Sequence, residues 1–172
     1  MTIGSEEYRE ALRHFPAGVT IVTLRAGDQV HGLTVSAFAS VSPEPPLVAV
    51  IIDHKHKASA LLRKPGTSFA VNVLGEDQAE LSNRFAWTKD EDRFGAGRWS
   101  EAATGAPVLE DALAWLDCRI VAEHPAGTHS IYLGEVVASG VPRPGESPLV
   151  YWNRGYRRLF QGGLFQPPSP RE

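Results

Sequence analysis

Seven short runs of β-branched and apolar residues, each closed off by glycine, proline or charge, constrain this chain more than any other feature. Residues 19–24, 30–36, 47–52, 67–74, 114–124, 130–138 and 149–152 have the composition of a pleated, half-buried surface. All seven are predicted strands. Ala26-Gly27-Asp28 turns the first run back toward the second, and Pro65-Gly66 precedes the fourth. Along 130–138, Ile131, Leu133, Glu135 and Val137 alternate against their neighbours with the period of two that a strand imposes. Many short strands with tight turns favour a mainly β fold, a closed antiparallel barrel in place of a doubly wound sheet. So small a barrel fills its interior with side chains, so a large ligand must lie outside it or at a junction with a second subunit.

Helical signals are short and peripheral. Ser5 followed by Glu6 and Glu7 predicts a helix start, with Arg9, Arg13 and His14 toward its negative end and Tyr8, Leu12 and Phe15 as its apolar face. Pro16 and Gly18 stop it. Residues 58–64 form a short helix that Pro65 ends, and Asp77 caps another over 78–87. The charged, glycine-rich stretch 88–107 lacks periodicity and is expected as a long excursion on one face. With 172 residues, one domain over 1–172 is expected, its core within about 8–160 and its tail 166–172 loose.

Composition narrows the function. A net charge of -3 offers no general field for a nucleic-acid polymer or an anionic membrane. The single cysteine, Cys118, makes an internal disulfide or a cysteine-only zinc site impossible, and no stretch of about 18 apolar residues occurs, so a cytoplasmic protein is expected. The chain has neither a Walker A motif nor the GxSxG elbow, and Gly95-Ala96-Gly97 lacks the third glycine of a dinucleotide fingerprint.

Two segments could carry chemistry. Residues 32–42, GLTVSAFASVS, place hydroxyls among small residues at a strand end, where backbone can approach a flat ligand; the same pattern also suits a plain polar turn. Residues 53–59, DHKHKAS, place Lys55, Lys57 and Ser59 at a helix start, which suits a phosphate and equally a solvated basic turn. His54 and His56 lack a nearby carboxylate of metal-site spacing, and no metal is expected.

The order of the segments carries a resemblance. Phe15-Pro16-Ala17-Gly18-Val19, the GLTVSAFASVSPEPP stretch, Lys57-Ala58-Ser59, residues 69–74, residues 81–86, Gly127-Thr128-His129 and residues 151–156 together resemble the flavin reductase-like family. That resemblance implies an antiparallel split β-barrel of Greek-key type with a few peripheral helices. It also implies a homodimer, and an NAD(P)H:flavin oxidoreductase that uses NADH or NADPH to reduce FMN or FAD for a partner monooxygenase. A flavin-binding electron carrier without nicotinamide turnover is the alternative. Carried over residue by residue, Thr34, Val35, Ser36 and Ala37 would line the flavin ring, with Ser40 and Val41 nearby and Asp53 along the ribityl chain. Ser59, Lys57 and Arg84 would hold the phosphate and Phe85 would wall the site. His129 would face the nicotinamide as the catalytic histidine, with Tyr156 and Arg157 on the same side. The family often has an aspartate where this chain has Thr128, so no acidic residue adjoins His129 in sequence.

Overall fold

The computed structural model describes residues 2–88 and 90–159, without the side chains of 90–92. The expected loose tail lies outside the described residues. Helix α1 (Ser5–Leu12) precedes β1 (Ala17–Gly18), β2 (Thr20–Ala26), β3 (Gln29–Val35), β4 (Phe38–Pro43) and β5 (Pro46–Asp53). Then come α2 (Lys57–Leu62), β6 (Ser68–Val73), α3 (Ala79–Trp87), a 3-10 turn (Asp90–Gly95) and the short strands β7 (Trp99–Glu101) and β8 (Pro107–Leu109). The long strands β9 (Ala114–Ala126) and β10 (His129–Gly140) lead to β11 (Val150–Trp152) and β12 (Gly155–Arg157).

The main sheet has seven antiparallel strands in the order β3-β2-β6-β9-β10-β5-β4. Its two edges, β3 and β4, are consecutive in the chain and joined only by Ser36 and Ala37. So short a link cannot cross a flat seven-stranded sheet, so the sheet must curl until its edges approach. No ladder joins β3 to β4, so the barrel is split, as the resemblance implied, and not closed as the strand pattern alone favoured.

The strand pleat sorts the side chains into layers. On β2, Val22 and Leu24 point inward with Val48, Val50, Ile52, Phe69 and Tyr132, and α2 adds Ala58, Leu61 and Leu62 to this layer. Val19 and Ile21 belong to a second layer, with Leu74, Phe85, Leu109 and Leu149. Because β2 is covered on both faces, its sequence reads as a continuous buried run without the alternation of a half-exposed strand. Buried Asn72 ties the excursion to the sheet, its Nδ2 donating to the Ile21 carbonyl at 3.0 Å and its Oδ1 accepting from the Leu109 amide at 2.7 Å.

Several sequence expectations need correction. The polar stretch around Ser40 is a strand, β4, and the excursion contains the hairpin β7–β8. Helix α1 begins at Ser5 after an N-cap Gly4 and buries nothing: Tyr8, Leu12 and Phe15 are 54%, 50% and 72% exposed. Asp77 makes no cap, because α3 starts after Gln78, whose side chain instead accepts from the Gly75 amide.

Candidate active site

The site begins at the corner where β3 passes into β4. The carbonyl of Ala37 accepts the Ile51 amide at 3.0 Å, which leaves Ser36 and Ala37 exposed at the split. Against this corner lies a cleft of 310 Å³ lined by Thr34, Ser36, Asn83, Trp87, Tyr151 and Tyr156, among others. A neighbouring hollow of 490 Å³ shares Ser36, Tyr151 and Arg154 with it and extends past Ala37 to Leu12, Phe15 and Trp152. Sequence reasoning named Thr34, Ser36, Ala37 and Tyr156. It missed Asn83, Trp87, Tyr151 and Arg154, although Asn83, Tyr151 and Arg154 fall in segments that carried the resemblance.

The walls are fixed from below. Thr34 Oγ1 donates to the Ser82 carbonyl at 2.6 Å, and the Tyr156 hydroxyl lies 2.8 Å from Ser82 Oγ and 3.1 Å from Asn83 Oδ1. Thus β3, α3 and β12 meet at Ser82. Phe85, expected to wall the site, is instead 1% exposed beneath α3, with its ring centroid 5.3 Å from those of Phe94 and Trp99. It packs so closely on β3 that a Cβ added at Gly32 would fall 2.5 Å from Phe85 Cε1. Phe85 therefore seats the helix, while Asn83, Ala86 and Trp87 of that helix face the cleft.

Val35 is likewise buried in the inner layer, and its carbonyl accepts Thr20 Oγ1 at 2.7 Å, so its side chain is not available to line a ring. Ser40 is exposed on β4, and Val41 is the extra residue where the β4–β5 register shifts. Arg84 is half-buried on α3. Arg157 is exposed, donating to the Tyr156 carbonyl at 2.8 Å with its guanidinium 5.8 Å from the Trp152 ring centre.

At the same end of the sheet, His129 pairs in register with Asp53. His129 Nδ1 and Thr128 Oγ1 are 2.9 Å apart. The Lys55 amide donates to Asp53 Oδ1 at 2.9 Å, and this bond, with His129 nearby, holds the Asp53 carboxyl below its usual pKa. The acidic neighbour missing beside His129 in sequence is thus supplied across the strands.

The basic turn divides differently from expectation. Lys57 is exposed, but Ser59 is fully buried, its Oγ 3.0 Å from the Tyr132 hydroxyl. A phosphate outside the barrel cannot reach that hydroxyl. Behind the turn, Ser130 Oγ donates to Glu123 Oε1 at 2.6 Å and lies 3.0 Å from His54 Nε2. With its one proton committed to Glu123, Ser130 must accept from His54, which fixes the Nε2–H tautomer. The Ser130 bond and that from Arg63 hold the Glu123 carboxyl below its ordinary pKa.

Known proteins share this sequence pattern and fold. A family model described as a flavin reductase like domain matches residues 12–159. The reductase component of an FADH(2)-dependent resorcinol hydroxylase from Rhizobium sp. (strain MTP-10005) is 40% identical over 163 residues, covering 92% of this chain and 89% of that one. A flavin reductase (NADH) of Kitasatospora aureofaciens is 42% identical over 160 residues, covering 91% and 82%. Among solved structures, the NADH:FAD oxidoreductase SgcE6 of Streptomyces globisporus C-1027, in complex with NAD and FAD fragments, superposes with a TM-score of 0.84 at 30% identity over 94% of this chain and 98% of that one.

Proposed function

The chain belongs to the flavin reductase-like family, and from that premise we propose that it transfers hydride from NADH or NADPH to FMN or FAD and supplies the reduced flavin to a partner monooxygenase. The observation that carries this is the split-barrel corner opening onto an aromatic-walled cleft. Its two contiguous hollows of 310 and 490 Å³ give a flat ring system and a nucleotide room outside the packed barrel. The donor set fits as well: small residues, the Ser36 hydroxyl and exposed backbone at the corner suit the polar edge of a ring.

The flavin, when bound, supplies the hydride-accepting chemistry. The chain's own task is to position and to stabilise. Thr34, Ser36 and Ala37 would seat the ring, Tyr151 and Tyr156 would close its apolar side, and Asp53 would follow the ribityl chain. Lys57, with Lys55 and Arg84, would meet the phosphate in place of Ser59. His129 would face the nicotinamide, its ring held by Thr128, with the Asp53 carboxylate opposite it across the strands. Holding two flat rings in contact needs neither a nucleophile nor a triad, because alignment itself lowers the barrier.

In this reading residues 1–172 act as one domain, and two copies form a homodimer in the cytoplasm. No helix among the described residues is long and apolar enough to cross a membrane. Cys118 is buried and its thiol pushed up to about 12 by desolvation, then by Asp117, so it stays an unreactive thiol. Steady-state oxidation of NADH and NADPH with added FMN or FAD tests the function. Turnover that requires flavin is expected; flavin binding without nicotinamide turnover would make this an electron carrier instead.

A further inference from the structure

Resting on that reading, we propose that Arg154 receives the diphosphate of the dinucleotide that enters the cleft. Asn153 and Arg154 form the two-residue turn between β11 and β12, closed by the Trp152–Gly155 pair. Both have positive φ, 47° and 60°, the backbone of a type I′ turn whose second position favours glycine. An arginine held in the left-handed region at a site wall calls for a functional reason. The turn is anchored, since the Asn153 amide donates to the Arg13 carbonyl at 3.1 Å and Trp152 Nε1 to the His14 carbonyl at 3.3 Å.

Arg154 borders both hollows and, with Ser36 and Tyr151, joins them. Of the neighbouring arginines, Arg13 pairs with Glu10 and Arg157 with the Tyr156 carbonyl and the Trp152 face, while Arg9 borders only the larger of the two hollows. Among the described residues the Arg154 guanidinium has no hydrogen bond or ion pair, although Glu6, Glu7 and Glu10 line the groove on its outer side. A planar fork of donors beside aromatic walls matches a nucleotide's diphosphate, which accepts such a fork with two oxygens at once. FMN has no diphosphate, whereas FAD and the nicotinamide dinucleotides do.

Calorimetric titration with ADP of the wild type and of Arg154→Gly tests the assignment without turnover. The glycine variant should bind ADP at least about tenfold more weakly, the loss of a charge-assisted contact. Its thermal midpoint should hold or rise, because glycine suits the turn. If it melts lower, Arg154→Lys, which keeps the charge and loses the fork, replaces it, and weaker ADP binding is again expected. A rise in the NADH KM would assign the diphosphate to the nicotinamide dinucleotide, and weaker FAD binding with unchanged FMN binding would assign it to the flavin. ADP affinity equal to wild type, or equal losses for FMN and FAD, would overturn the proposal. A chain that binds ADP through Arg154 yet never oxidises NADH would instead sink the flavin reductase reading alone.

Discussion

Lys57 and Ser59 stand two positions apart on α2, and their side chains meet different environments: one is exposed and the other sealed against Tyr132. Ser59→Ala should therefore cost roughly 1 kcal/mol of stability, the worth of one buried hydrogen bond, and leave FMN affinity unchanged. Lys57→Ala should do the reverse, weakening FMN at least about tenfold more than riboflavin. Denaturant midpoints and flavin titrations separate the two, and equal losses of FMN and riboflavin in the lysine variant would move the phosphate elsewhere. His129 sits in register with Asp53 and beside Thr128, and its proposed role is to orient a bound nicotinamide. His129→Ala should raise the NADH KM and slow reduction in stopped flow while flavin affinity stays nearly intact. Unchanged reduction kinetics would leave that histidine a strand-start residue only.

At the scale of elements, one contact decides the shape of the site. Helix α3 reaches β3 because Gly32 has no Cβ and Phe85 occupies that space. The same docking brings the Ser82 carbonyl to Thr34 and the Ser82 hydroxyl to Tyr156, so the cleft depends on it. Gly32→Ala should lower stability by about 1 to 3 kcal/mol through overpacking. It should also weaken flavin binding, because α3 must shift. Thermal melts with flavin titration check both, and a variant as stable as wild type would show that Phe85 yields without moving the helix. Helix α1 shows the opposite relation, since its amphipathic pattern forms a helix whose apolar side finds no core in the described chain.

Across the whole molecule, the packed interior leaves apolar surface on the outside of the sheet. Val41 and Val121 at register shifts of β4 and β9, and Ile51 on β5, are 50%, 52% and 38% exposed. Ile51 lies against Ala37 at the corner and opposite Ile131 on β10, so this surface is continuous with the site. A second copy is the proposed cover, and sedimentation equilibrium should give twice the 18.7 kDa chain mass. Ile51→Glu, which puts a charge into that contact, should give the single-chain mass and weaker flavin binding. A wild-type monomer with full turnover would refute the dimer.

The long strands and the places of α1, α2 and α3 were legible in the sequence, because β-branched runs and proline stops act locally, whereas the caps of α1 and α3 were not. Strand β4 was not: FASVSP has small and polar residues, and only its ladder to β5 makes it a strand. The segment that borders the cleft was legible through Thr34, Ser36 and Ala37, whose small size and hydroxyls are properties of the residues themselves. Which way Val35, Ser59 and Phe85 point was not legible, since each is turned inward by partners distant in sequence. Sequence fixes pattern and chemistry residue by residue, whereas burial and the split between β3 and β4 depend on which strands become neighbours when the sheet curls, and that only the tertiary structure decides.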